Sequence, residues 1–68
     1  MTMTLNARAA RANKGMLQKE AADRIGIPTS MLSWIENGIV VPNKKIQKKI
    51  AKAYSLPPDA IDFFYNYR

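Results

Sequence analysis

Residues 18–38 read QKEAADRIGIPTSMLSWIENG, and the two breaks in this stretch decide how the chain folds. From Gln18 to about Ile25, the apolar residues Ala21, Ala22 and Ile25 stand at i, i+1 and i+4, so they share one helix face. Gly26-Ile27-Pro28 interrupts that helix. Gly26 sits where the chain must leave it, a place where positive φ is cheap only without a Cβ. Pro28 pushes Ile27 out of the α region and suits a helix start. A second helix is predicted from about Thr29 to Glu36, with Ile27, Met31 or Leu32, and Ile35 turned inward. Asn37-Gly38 supplies its left-handed end.

Two short helices with a tight turn and a small residue, Ala22, at their crossing form a helix-turn-helix. Arg11, Gly15, Gln18, Ala22, Gly26, Ile27, Ser33, Ile35, Glu36, Asn37, Gly38, Pro42, Ile50, Ala51 and Leu56 follow in order. In these residues the chain resembles the Cro/C1-type helix-turn-helix (XRE) family of small phage and bacterial transcription regulators, over roughly residues 5–62. The resemblance implies an all-α, compact four- to five-helix lambda-repressor-like DNA-binding domain with the motif at its centre.

A chain of 68 residues is expected to form one domain, 1–68, with one small core. Cysteine and histidine are both absent, which removes disulfides, thiolate metal sites and His-based acid–base catalysis. The five carboxylates Glu20, Asp23, Glu36, Asp59 and Asp62 are scattered by helical spacing, so neither an enzyme nor a metal, cofactor or small-molecule substrate is expected. A formal charge of +6 favours an anionic partner, nucleic acid first and anionic membrane second. No apolar run approaches the ~20 residues of a membrane span, and the opening MTMTLNARAA lacks a signal-peptide core. The cytoplasm is the expected location.

Residues Thr4 to about Lys14 read as a first helix, with Thr2 or Thr4 as N-cap and Gly15 as stop. Its inner face would hold Met3, Ala7 and Ala10, with Ala9 and Ala12 beside them. Relatives carry larger aliphatics at Ala7, Ala10 and Ala21, so Met3, Met16 or the C-terminal aromatics must supply bulk. By resemblance Arg11 pairs with Glu36 and ties the first helix to the second motif helix; on its own, an arginine on a short helix is most often a solvated charge. Gln18 resembles a glutamine that holds a DNA phosphate at a helix N-terminus. Lys19 and Asn37 join it as phosphate-contact candidates. Leu17 stands where relatives place a capping Ser or Thr.

In the family, the positions of Thr29, Ser30, Ser33 and Trp34 reach base edges in the major groove. Three of them are short hydroxyl side chains with no bidentate pattern. A lone Trp is usually core, yet Leu32 and Ile35 already claim the inward face, so Trp34 points sideways or out. Thymine methyls or a protein partner are its two expected contacts. Ile39-Val40-Val41 follows, where relatives carry basic residues; with Leu17 and Trp34, Ile39 and Val40 form a candidate apolar interface.

Pro42-Asn43 opens a helix from Lys44 to Tyr54, with Asn43 as N-cap and Ile46, Ile50 and Ala53 inward. Lysines fill the rest, and Lys44 and Lys45, nearest the motif, are the expected phosphate contacts. A last short helix is predicted from Ala60 to about Tyr65, with Ile61 and Phe64 in the core. Phe63, Tyr65 and Tyr67 are then left over in the segment 59–68, which in short Cro-like relatives is a two-fold dimer contact.

Two functions follow. The first is a sequence-specific regulator that binds double-stranded operator DNA as a homodimer. The second is an antirepressor, in which the helix-turn-helix face binds a partner repressor protein.

Overall fold

The computed structural model describes residues 5–64. Four helices carry the fold: α1 (Ala7–Asn13), α2 (Gln18–Ile25), α3 (Thr29–Glu36) and α4 (Lys44–Ala53). Two short strands, β1 (Leu5–Asn6) and β2 (Ile61–Asp62), pair in parallel with Leu5 opposite Ile61, and a 3₁₀ turn at Pro58–Ala60 leads into β2. The fold is thus helical with a minor sheet that ties the two ends of the described chain together.

Both motif helices begin and end where their local signals place them. Gly26 takes φ +88° and its N–H donates to Ala22 C=O at 2.9 Å, closing α2. Nothing stands within 4 Å of a Cβ built there, so the demand on Gly26 is conformational rather than steric. At the end of α3, Gly38 N–H donates to Ile35 C=O and Ile39 N–H to Trp34 C=O, the paired bonds of a Schellman motif with Gly38 left-handed. The same pair of bonds ends α4, from Ser55 to Lys52 and from Leu56 to Ala51. There the left-handed residue is Ser55, at φ +56°. Asn43 caps α4 through its side-chain oxygen, which accepts from Ile46 N–H at 2.9 Å.

The start of α1 differs from expectation. Asn6, not Thr2 or Thr4, is the N-cap, and its Oδ1 accepts from Ala9 N–H at 2.8 Å. Thr2, Met3 and Thr4 lie outside the described residues. Leu5 and Asn6 are extended because they pair with β2, which shortens the helix. Ala12, placed near the inner face by spacing, is exposed.

The C-terminal segment differs more. Ile61 and Phe64 stand at i, i+3, which suited a helix; instead Ile61–Asp62 is a strand and the chain turns at Phe63–Phe64, which leaves Ile61 and Phe63 as the inward pair. Phe63 is buried and Phe64 is 53% exposed, the reverse of the expectation. Phe63 is therefore a core residue and not an interface candidate. Tyr65 and Tyr67 lie outside the described residues.

The core gathers Ala7, Ala10, Ala21, Ala22, Ile25, Leu32, Ile35, Ile50, Ala51, Tyr54, Ile61 and Phe63. Four of these are the small residues of α1 and α2. Bulk comes instead from Tyr54, the largest fully buried side chain, and from Phe63, with Met16 packed at the edge. Tyr54 recurs at helical spacing with Ile46, Ile50 and Ala53, but the sequence did not mark it as the side chain that fills the space left by the alanines. Its hydroxyl is buried with no hydrogen-bond partner among the described residues, and burial pushes its pKa up to about 12, with the nearby Glu36 charge adding to the rise and Arg11 opposing it.

Candidate nucleic-acid interface

Helix α3 divides into a buried and an open side. Leu32, Ile35 and Glu36 face the core, while Thr29, Ser30 and Trp34 are exposed and Ser33 is half-buried. Thr29, Ser33 and Asn37 fall at successive i, i+4 steps, as do Ser30 and Trp34, so two rows run side by side along the outer face. The four base-contact candidates are therefore brought together on one surface. Trp34 is 48% exposed, which removes it from the core. Its neighbour Ile39 is 65% exposed and is drawn back over the last turn of α3 by the bond to Trp34 C=O.

Glu36 anchors α3 from beneath. Its side chain is fully buried, and Arg11 meets it with two bonds, Nε to Oε2 at 2.7 Å and Nη2 to Oε1 at 3.1 Å. The third guanidinium nitrogen of Arg11 donates to Met16 C=O at 2.9 Å, so one side chain joins α1, the α1–α2 connection and α3. The hydrogen bond to Glu36 raises the Arg11 pKa above its ordinary value, with burial pulling the other way, so the guanidinium keeps its charge at every ordinary pH. Arg8 adds Nε at 3.8 Å from Glu36 Oε1 and is far more exposed.

Gln18 does not reach outward as a phosphate-holding glutamine would. Its Nε2 donates to Glu36 Oε1 at 3.1 Å, which commits the amide nitrogen inside the fold. What Gln18 and Lys19 offer an anion is their backbone N–H groups, because the first intrahelical bond of α2 is donated by Ala21 and Leu17 has no side-chain acceptor. Asn37 is also engaged. Its Oδ1 accepts from Arg8 Nη2 at 2.7 Å and its Nδ2 donates to Ser33 Oγ at 3.3 Å. Asn37 stood among the phosphate-contact candidates and Arg8 did not; the structure links Arg8 to Asn37 and Asn37 to Ser33.

Lys44 and Lys45 occupy the first turn of α4, and both are exposed. No acidic residue stands in that turn. Two cations at the positive end of a helix dipole oppose local electrostatics by a few tenths of a kcal/mol each.

A four-helix domain with an exposed polar recognition face on α3, buttressed from below, is that of a DNA-binding helix-turn-helix regulator. Residues 8–61 match the helix-turn-helix family, and the chain belongs to it, in its Cro/C1 or XRE type. Comparison with curated proteins and with solved structures finds no match. Among the described residues, no helix is long and apolar enough to cross a membrane.

Proposed function

We propose that the protein is a Cro- or repressor-type regulator that binds a pseudo-palindromic operator as a homodimer. The observation that carries this reading is the outer face of α3: Thr29, Ser30, Ser33 and Trp34 converge on one surface while the opposite face is sealed in the core. Thr29 and Ser30 would enter the major groove with α3, and Trp34 would lie against thymine methyls. Lys44, Lys45 and the N-terminal amides of α2 at Gln18 and Lys19 would hold the phosphates on either side. A copy measures 32 Å along its longest axis and carries one α3. Two copies set about one DNA turn apart, ~34 Å, would read two half-sites and occlude a promoter. Phe64, exposed beside β2, supports a two-fold contact made by the C-terminal segment.

Leu17 at 75% and Ile39 at 65% exposure, with Trp34, favour a second reading. An apolar surface at the DNA-facing end suits a partner repressor in an antirepressor complex. Selection of duplexes from a random DNA pool by the purified protein at near-physiological salt separates the two. Enrichment of a two-fold symmetric site supports the regulator. Retention that is weak, salt-sensitive and blind to sequence sinks it and leaves the antirepressor.

A further inference from the structure

The C-terminal ends of α2 and α4 meet around a cavity of ≈ 520 Å³, lined by Arg24, Ile25, Lys49, Lys52, Ala53 and Ser55. That volume lies within the range of small-molecule sites. Three of the lining residues are cations and none is a carboxylate. Arg24, Lys49 and Lys52 are exposed and make no ion pair among the described residues, whereas Arg8 and Arg11 both turn to Glu36. The helix dipole favours a cation in a last turn, which accounts for Arg24 and Lys52 singly. It does not account for Lys49, which sets a like charge at i, i+3 from Lys52. Ser55 adds a hydroxyl on backbone held at φ +56°, where a glycine would be unstrained. Buried Ile25 and half-buried Ala53 supply an apolar portion of the lining.

We propose that this cavity binds a small organic phosphate, its phosphate group held by Arg24, Lys49, Lys52 and Ser55 and its body resting against Ile25 and Ala53. A phosphate carries enough charge and acceptor oxygens to serve three cations and a hydroxyl together, which a single carboxylate does not. The cavity stands apart from the groups assigned to DNA phosphates. Arg24 follows Gln18 by ~9 Å along α2, and Lys52 follows Lys44 by ~12 Å along α4. The site therefore does not depend on the DNA-binding reading.

Adenosine 5′-diphosphate serves as the probe, with pyrophosphate and adenosine titrated separately, and backbone amide shifts are followed by NMR. The proteins are wild type, Arg24→Ala, Lys49→Ala, Ser55→Gly and Lys14→Ala, with thermal melts to confirm folding. In wild type the diphosphate should saturate with a Kd below ~1 mM and move the amides of Arg24, Ile25, Lys52, Ala53 and Ser55, leaving those of Thr29 and Ser30 still. It should bind about threefold or more tighter than pyrophosphate because its body covers apolar surface. Arg24→Ala and Lys49→Ala should each weaken it by about tenfold, the worth of a charge-assisted hydrogen bond. Ser55→Gly should weaken it by about threefold while raising Tm. Lys14 is exposed and outside the cavity, so Lys14→Ala removes the same charge and should bind as wild type does. Absence of saturation overturns the proposal. So does equal weakening by Lys14→Ala, which would show attraction to net charge alone, or pyrophosphate binding as tightly as the diphosphate. A DNA duplex that displaces the probe, with a salt slope that falls in Lys49→Ala, would assign the cavity to DNA phosphates and overturn it as well.

Discussion

Arg11 Nε lies 2.7 Å from Glu36 Oε2, and the Glu36 side chain has no solvent exposure. This pair joins the first helix to the recognition helix, so the orientation of α3 depends on a contact made behind it. Removing Arg11 leaves a buried carboxylate with Gln18 and the distant Arg8 as its remaining partners. Arg11→Ala should therefore destabilise the fold by about 3 kcal/mol, read as a fall in urea midpoint with unchanged slope. Arg11→Lys should recover only part, because an ammonium cannot serve both Glu36 oxygens and Met16 C=O together. A loss under about 0.5 kcal/mol in Arg11→Ala would show that the pair contributes no more than a surface bridge.

Tyr54 carries a buried hydroxyl without a partner among the described residues, which makes its ring useful and its oxygen costly. Tyr54→Phe should equal or exceed wild type at pH 7, by up to about 1 kcal/mol. The two should part further at high pH. The folded-state pKa is raised to about 12 from an unfolded value near 10, so above pH 10 the unfolded chain releases a proton that the folded chain retains. Wild type should lose up to about 2 kcal/mol between pH 10 and 12 that Tyr54→Phe does not. Parallel stability curves for the two proteins across that window would contradict this.

Ser55 occupies the left-handed position that Gly38 fills at the end of α3. Ser55→Gly relieves that strain and should raise stability by about 1 kcal/mol, seen as a higher Tm. Gly26→Ala should cost about the same in the opposite direction, since open space surrounds the site and only φ is strained.

Phe63 and Phe64 are adjacent and should behave in opposite ways. Phe63→Ala empties part of the core and should cost about 3 kcal/mol. Phe64→Ala should leave monomer stability within about 0.5 kcal/mol and, under the proposed homodimer, weaken self-association in sedimentation equilibrium. Equal losses of stability would mean that both rings are packed.

Lys44→Ala and Lys45→Ala should each lower affinity for all duplexes alike. Each should also reduce the slope of log affinity against log salt by roughly 0.9, the value for one phosphate that is no longer neutralised. An unchanged slope would mean that these lysines do not touch the phosphates.

The limits of α2, α3 and α4 were legible in the chain because their signals are local. Gly26, Pro28, Gly38 and Asn43 act through the backbone within a few residues of themselves, and the apolar period assigns Ala22, Leu32, Ile35 and Ile50 to the inside without knowledge of what they meet. The family resemblance of the motif also pointed to Glu36 as the partner of Arg11. Tertiary structure decided the remainder. Leu5 and Ile61 pair across nearly the whole described chain, and that pairing turned a predicted terminal helix into a strand, exchanging the places of Phe63 and Phe64. Gln18 and Arg8 turn toward Glu36, and Asn37 toward Ser33, only because packing brings the start of α1, the start of α2 and the end of α3 to one point. Tyr54 fills a core of alanines for the same reason. Local steric preferences are written residue by residue, whereas the meeting of distant side chains depends on the free energy of the assembled fold.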